Sequence, residues 1–180
     1  KTDTYLPFEF DTKDLIPPMV DVSQGYRFHV TGLTHDERGY PVMSDECQEW
    51  NVHRLVQKIR LFTDDIIDFE EEKTEDAELV IVSYGITSND ALNAVKQARK
   101  QGIKVGSLRL KTVWPFPEKR ILELAKKIDN FIVPEINYGQ IYLEVQRCAR
   151  GEVKTHFLYH ESQKVGTSDH IVTLIKKIIK

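Results

Sequence analysis

Residues 79–89 read Leu79-Val80-Ile81-Val82-Ser83-Tyr84-Gly85-Ile86-Thr87-Ser88-Asn89. The first four are apolar without interruption, as a strand buried on both faces requires, and Gly85 then breaks the run. From residue 89 to 100 the period changes. Ala91, Leu92, Val95 and Ala98 recur at three and four residues, which is the spacing of one helix face, and Gly102 stands where a left-handed C-terminal cap is wanted.

The alternation continues downstream. Residues 103–110 read as a second strand, and Pro117 can take the first helical position ahead of the stripe Ile121, Leu124, Ala125 and Ile128. Phe131-Ile132-Val133 is a third strand. Gly139 and Gln140 open a helix that Gly151 stops, and residues 153–159 read as a fourth strand. A last helix begins near Ser168 with Ile171, Leu174, Ile175 and Ile178 inward. Strands alternating with helices predict an α/β domain over residues 74–180, a three-layer α/β/α sandwich on a mostly parallel sheet with right-handed crossovers.

Upstream the pattern differs. Residues 1–45 are aromatic and punctuated by Pro7, Pro17, Pro18 and Gly25, and read as an extended lead-in. Ser44, followed by Asp45 and Glu46, suits a helix start. Val52, Leu55, Val56, Ile59, Phe62, Ile66 and Phe69 then recur at helical spacing, so one long amphipathic helix is expected over 46–73, ending in the acidic run Glu70-Glu71-Glu72.

Of 180 residues 41% are hydrophobic and 29% charged, enough for one good core, while a net charge of -3 gives no basic field for nucleic acid. No apolar run approaches the roughly 20 residues that span a bilayer, and no signal peptide is visible, so no membrane partner is expected. The two cysteines, Cys47 and Cys148, are far apart and lack ligand spacing for zinc or a cluster; a reducing, cytoplasmic setting is expected. The chain opens Lys1-Thr2-Asp3-Thr4 without a Met, which reads as a cut within a longer polypeptide.

In a doubly wound sheet ligands gather beyond the carboxyl ends of the strands. That singles out residues 83–89, 111–116 and 135–140. Gly85 with Thr87, and Asn137 with Gly139 and Gln140, pair glycine with polar residues at a helix start, where free N–H groups and the helix dipole can hold an anion such as a phosphate of coenzyme A. The plainer alternative, tight turns at Gly85 and Gly139 with Thr87, Ser88 and Asn137 as caps, is favoured. The polar run His29-Val30-Thr31-Gly32-Leu33-Thr34-His35-Asp36-Glu37 offers two imidazoles and two carboxylates. Neighbours on an extended segment point apart, so an inter-domain contact through Thr31, His35 and Asp36 is preferred to metal or acid–base chemistry. His53, His156, His160 and His170 read as core-edge or solvated, and Cys148 as a small helix hydrophobe. Trp114 and Phe116 read as packing residues, with a partner anchor as the alternative.

Four segments together resemble one family. They are Thr31-Gly32-Leu33-Thr34-His35-Asp36-Glu37-Arg38-Gly39; Val82-Ser83-Tyr84-Gly85-Ile86-Thr87; Gly102-Ile103-Lys104-Val105-Gly106 leading to Leu110-Lys111-Thr112-Val113-Trp114-Pro115-Phe116-Pro117; and Val133-Pro134-Glu135-Ile136-Asn137-Tyr138-Gly139-Gln140. In order and spacing they resemble the alpha subunit of 2-oxoacid:ferredoxin oxidoreductases, most closely the 2-oxoglutarate and branched-chain types, from about residue 29 to the C terminus. The resemblance implies a fold like the transketolase C-terminal domain, in which one edge strand can run antiparallel; residues 26–30 are the candidate. It implies thiamine diphosphate, magnesium, an iron–sulfur cluster and coenzyme A in the complete enzyme, a thiamine-binding beta subunit and accessory subunits as partners, and ferredoxin as electron acceptor. The family's substrate-handling Tyr-Pro-Ile-Thr-Pro segment is not in this sequence, so no catalytic residue carries over and the isolated chain is expected to be inactive. Its expected part is structural, in assembly, with the loops at Gly85 and Gly139 at an interface or near coenzyme A. A stand-alone nucleotide- or coenzyme A-binding module and a purely structural interaction domain are the alternatives from other classes. The identity of the 2-oxoacid is not written in these residues.

Overall fold

The apolar runs that start at Leu79 and Phe131 become the middle of a sheet because neither of their faces can be left in water. The computed structural model describes residues 4–159 and 168–179. It divides into two compact units, Lys1–Asp64 and Asp65–Lys180.

In the second unit five strands, β1 (Phe69–Glu72), β2 (Leu79–Tyr84), β3 (Val105–Leu110), β4 (Asn130–Glu135) and β5 (Lys154–Tyr159), lie in the order β1-β3-β2-β4-β5. All neighbours are parallel except β1, which runs antiparallel to β3. The helices of this unit are α3 (Thr87–Lys100), α4 (Glu118–Ala125), α5 (Gln140–Ala149) and α6 (Asp169–Ile178). The alternation of side chains splits the core in two. Val80, Val82, Leu108, Phe131 and Val133 pack with Ile121 and Leu124 of α4 and Val145 of α5. Leu79, Ile81, Val105 and Ile132 pack with Ala94 and Val95 of α3 and Ile171 and Ile175 of α6. The three-layer α/β/α architecture expected from the sequence is the one observed.

Three expectations are corrected. The helix foreseen over 46–73 is α1 (Asp45–Arg60), followed by a single turn, α2 (Thr63–Ile66). Ser44 Oγ does accept the Cys47 N–H at 3.2 Å. The break comes where the Thr63 hydroxyl bonds the carbonyls of Ile59 and Arg60, each at 3.1 Å. Beyond it the period switches to two. Phe69 packs against the sheet core while Glu70 and Glu72 are exposed, and pairing with β3 overrides the helix preference of a glutamate run. The antiparallel edge strand is therefore 69–72, and residues 26–30 form no strand. The foreseen stripe on α1 is not a buried one: Val52, Leu55 and Val56 are exposed, and the buried positions are Asn51 and Arg54.

The edge strand is pinned from both ends. Glu71 on β1 takes both Nε and a terminal nitrogen of Arg120 on α4, as well as the Thr74 hydroxyl. Arg99, near the end of α3, forks onto Asp76 at 2.7 and 2.9 Å and donates to the carbonyls of Lys73 and Val105, each at 2.8 Å. The chain leaving β1 passes so close to β3 that a Cβ on Gly106 would sit 2.6 Å from the Lys73 carbonyl oxygen. Only glycine fits there.

Three outcomes follow from this packing. Ile132→Ala, at a site with no solvent exposure, should lose about 2–5 kcal/mol of unfolding free energy by denaturant titration. Gly106→Ala should be destabilising and should raise hydrogen exchange in β1 before the rest of the sheet. The Arg120 guanidinium beside Glu71 holds its carboxyl below the usual glutamate range, outweighing burial. A depressed carboxyl stabilises the fold fully above its unfolded pKa of about 4.3 and less as pH falls through the folded value. Glu71→Gln should therefore flatten the acid limb of a stability–pH curve between about pH 5 and 3, with little change in its slope above pH 6.

Candidate functional site

β2 and β4 are neighbours in the sheet, yet the helices that follow them, α3 and α5, pack on opposite faces. The crevice beyond their carboxyl ends is the topological switch point of the fold. The loops that meet there are the first and third of the sequence-derived candidates.

A buried carboxyl group organises the crevice. Glu135, the last residue of β4, has zero exposure. Its Oε1 accepts the Tyr142 N–H at 2.7 Å, and its Oε2 accepts the Ile141 N–H at 3.0 Å and the Tyr84 hydroxyl at 3.3 Å. Tyr84 ends β2, so this bond ties the two loops together. Asn137 completes the set: its Nδ2 donates to the Tyr84 hydroxyl at 2.7 Å, while its Oδ1 accepts the N–H groups of Gly139 at 2.8 Å and Gln140 at 3.0 Å. Burial, then the nearby Glu135 carboxyl, push the Tyr84 phenol pKa up, so the hydroxyl remains a donor.

This arrangement decides what the loop can do. The N–H groups of residues 139–142, which an anion at the start of α5 would need, are all engaged by side chains of the same loop. Gly139 has φ +98, and a Cβ there would make only ordinary contact with the rings of Tyr142 and Phe157 at 3.4 and 3.5 Å, so its place is set by backbone geometry. Asn137 is the cap that the sequence suggests. Thr87 and Ser88 are not caps: the Thr87 hydroxyl donates to the Tyr84 carbonyl at 2.9 Å, and Ser88 meets Ser83 at 3.3 Å between their hydroxyls. Gly85 turns with φ +56 and is exposed. Glu135 and Tyr84 were the residues given no role in advance. A glutamate closing an apolar strand directly after Pro134 was the available signal.

Around the crevice the carboxyl edge of the sheet is apolar and open. Ile86, Val113, Trp114, Ile136, Tyr138 and Tyr159 are all exposed, Tyr138 to 89%, and the rings of Tyr138 and Tyr159 stack 5.5 Å apart. Phe116 is buried in the core as a packing residue should be; Trp114 is not, at 68% exposure. Cys148 is buried, and burial pushes its thiol pKa up to about 11, as befits an inert hydrophobe. His156 bonds Asn130 Oδ1 at 2.9 Å, and burial pulls its pKa down. His160 lies outside the described residues.

In the first unit, Thr31, His35 and Asp36 all have local partners. Thr31 Oγ1 accepts the Leu33 N–H at 3.2 Å. The His35 carbonyl accepts Asn51 Nδ2 at 2.6 Å, and its ring lies 4.1 Å from that of Phe8. Asp36 accepts Arg38 Nε at 2.8 Å and the N–H groups of Arg38 and Tyr40 at 3.0 and 3.1 Å, closing a tight loop. The His35 ring Nδ1 lies 3.0 Å from the Asp36 carbonyl oxygen, while the Asp36 carboxylate is taken by Arg38, so imidazole and carboxylate are not paired.

Comparison with known proteins agrees with this fold. Residues 77–173 match the family model described as pyruvate:ferredoxin oxidoreductase core domain II. The chain is 40% identical over 175 residues to 2-oxoglutarate synthase subunit KorA of Methanothermobacter thermautotrophicus, covering 97% of this chain and 46% of that protein. It is 49% identical over 148 residues to the same subunit of Methanocaldococcus jannaschii, covering 81% of this chain and 39% of that protein. Ketoisovalerate oxidoreductase subunit VorB of Methanothermobacter marburgensis is 43% identical over 105 residues, 58% of this chain and 30% of that protein. The chain thus spans less than half the length of these relatives. Among solved structures, 2-oxoglutarate:ferredoxin oxidoreductase from Magnetococcus marinus, with 2-oxoglutarate, coenzyme A and succinyl-CoA bound, superposes with a TM-score of 0.79 at 26% identity, over 98% of this chain and 31% of that one. With this match over more than half its length and an αβ sheet of the same architecture, the chain belongs to the family of the pyruvate:ferredoxin oxidoreductase core domain II.

Proposed function

We propose that these residues are the C-terminal part of the alpha subunit of a 2-oxoacid:ferredoxin oxidoreductase, and that their part is assembly rather than chemistry. The complete enzyme would decarboxylate a 2-oxoacid on thiamine diphosphate, pass the acyl group to coenzyme A and send electrons through an iron–sulfur cluster to ferredoxin. The similarity to 2-oxoglutarate synthase subunits favours 2-oxoglutarate as the 2-oxoacid, with succinyl-CoA as product.

The residues in hand do not fit an iron–sulfur cluster. Two cysteines, one of them buried with a raised pKa, cannot supply the four thiolates a cluster takes. No helix among the described residues is long and apolar enough to cross a membrane. At the start of α5 the backbone donors are engaged, so a contact with coenzyme A there would have to come from exposed side chains such as Gln140 or Tyr138.

The observation that carries the reading is the carboxyl edge, where internally satisfied loops present an open aromatic and apolar surface. Exposed aromatic residues of this kind dominate interface energetics. A thiamine-binding beta subunit is the partner that fits an assembly role.

The test uses the full-length alpha subunit and its complex. Trp114→Ala and Tyr138→Ala should each weaken association with the thiamine-binding subunit by about 30-fold, the effect of a hot spot of about 2 kcal/mol, while circular dichroism of the alpha subunit stays unchanged. Turnover at saturating complex should be retained. Unchanged association together with a raised KM for coenzyme A would instead give the edge to the coenzyme, and unchanged values of both would overturn the reading.

A further inference from the structure

The first unit holds a cleft whose walls are aromatic and basic. Its volume is about 650 Å³, in the range usual for a small-ligand site, and it lies between residues 4–7 and 25–29, with Arg38 and Tyr40 closing it. Its walls carry two guanidiniums and an imidazole, those of Arg27, Arg38 and His29, and among the described residues no aspartate or glutamate lines it.

The walls are held in place by contacts between segments distant in sequence. A Cβ on Gly39 would run into the His29 carbonyl, so only a glycine lets residues 36–40 lie directly on the 25–29 segment. The rings of His29 and Tyr40 then stack, their centroids 5.3 Å apart and their planes 2° from parallel. Tyr5 sets its ring against those of Tyr26 and Phe28, at 4.8 and 5.8 Å, and its hydroxyl donates to the Pro18 carbonyl at 2.9 Å. Tyr40 and Phe28 nonetheless remain 55% and 42% exposed, which leaves ring surface for a further flat group.

The charges narrow the ligand. Arg38 gives Nε and Nη2 to the Asp36 carboxylate at 2.8 and 2.5 Å, which leaves Nη1 without a partner among the described residues. Arg27 has no ion pair among the described residues, and the nearby Glu37 lines a different cavity. The cleft therefore favours an anion. Phosphate oxygens can bridge separate donors, and a nucleobase stacked on an aromatic side chain contributes about 1–3 kcal/mol. A simple aromatic carboxylate matches the fork of one guanidinium and would leave much of the volume empty. A long polyanion would meet the chain's net charge of -3, whereas a single nucleotide meets only the local field. We propose that this cleft is a binding site for a nucleoside phosphate, its base on the open rings of Tyr40 and Phe28 and its phosphate on Arg27 and the free nitrogen of Arg38.

The test is calorimetric titration of the full polypeptide that carries this segment, without divalent metal. The probes are AMP, ADP, adenosine, inorganic phosphate and benzoate. AMP or ADP should bind with a dissociation constant on the order of 0.1 mM, and adenosine, phosphate and benzoate each at least about tenfold more weakly. Arg27→Gln, a change at an exposed position, should weaken AMP about tenfold and leave adenosine as it was. That difference should shrink as salt is raised to about 0.5 M. Tyr40→Leu should weaken AMP and adenosine alike, while Tyr40→Phe, which keeps the ring, should bind as the wild type does. Thermal melts establish that each variant is folded, and Arg27→Gln with Tyr40→Phe suffices where Tyr40→Leu is not. Three results would overturn the proposal: no heat with either nucleotide, phosphate or benzoate binding as tightly as AMP, or nucleotide binding that Arg27→Gln leaves intact, which would put the nucleotide elsewhere on the polypeptide.

Discussion

A carboxyl group with no access to water must find donors inside the protein, and the carboxyl edge of this sheet is built around the one at Glu135. Two backbone N–H groups of the first turn of α5 and the hydroxyl of Tyr84 converge on it. That convergence fixes where α5 begins and how it leaves β4. It also holds the end of β2 against the end of β4, so the two loops at the switch point form one hydrogen-bonded body. The N–H groups that comparable sheets leave free for a phosphate are here committed to the fold, and Asn137 takes the two that Glu135 does not reach. Chemistry at this edge is left to side chains that point outward.

The far margin of the sheet is held by a different interaction. β1 is short and acidic, with little intrinsic reason to be a strand. It stays because Phe69 reaches the core and because Glu71 is clasped by Arg120 from α4. The following turn is held down by Arg99 and admitted by the missing side chain of Gly106. An antiparallel strand at the margin of a parallel sheet thus depends on two arginines from two helices on opposite faces.

What the sequence made legible follows from local periodicity. β2 to β5 and α3 to α6 were readable because each apolar run or stripe is buried by its own unit, so pattern and packing agree. The stretch from Phe62 to Phe69 misled for a physical reason: a helical stripe extends across residues that in fact turn at Thr63 and then pair with β3, a contact some 40 residues away in sequence that no local period reveals. Trp114 was read as a packing residue from its type and its neighbours Pro115 and Phe116, yet only Phe116 goes inside. Thr87 and Ser88 have the composition of caps, but their hydroxyls are drawn to Tyr84 and Ser83. Of the Glu135 network only the glutamate closing an apolar strand is legible in sequence; its partners Tyr84, Ile141 and Tyr142 are brought to it by tertiary burial.

A few polar and apolar side chains of this chain are placed against the usual preference, and that placement bears on function. Inside lie Glu135, Asp90, Asn51 and Arg54; outside lie Trp114, Tyr138 and the Val52, Leu55 and Val56 side of α1. Buried polar groups that satisfy one another, as at Glu135, give a loop a single shape. Exposed aromatic and aliphatic groups on so fixed a frame cost little entropy when they are covered, because their backbone has nothing left to lose. A sheet edge of this kind is preorganised for a rigid partner rather than for a mobile substrate. Arg54 departs from this pattern: no ion pair reaches it among the described residues, and what its guanidinium meets is the ring of Phe10, 5.5 Å away at the centroid.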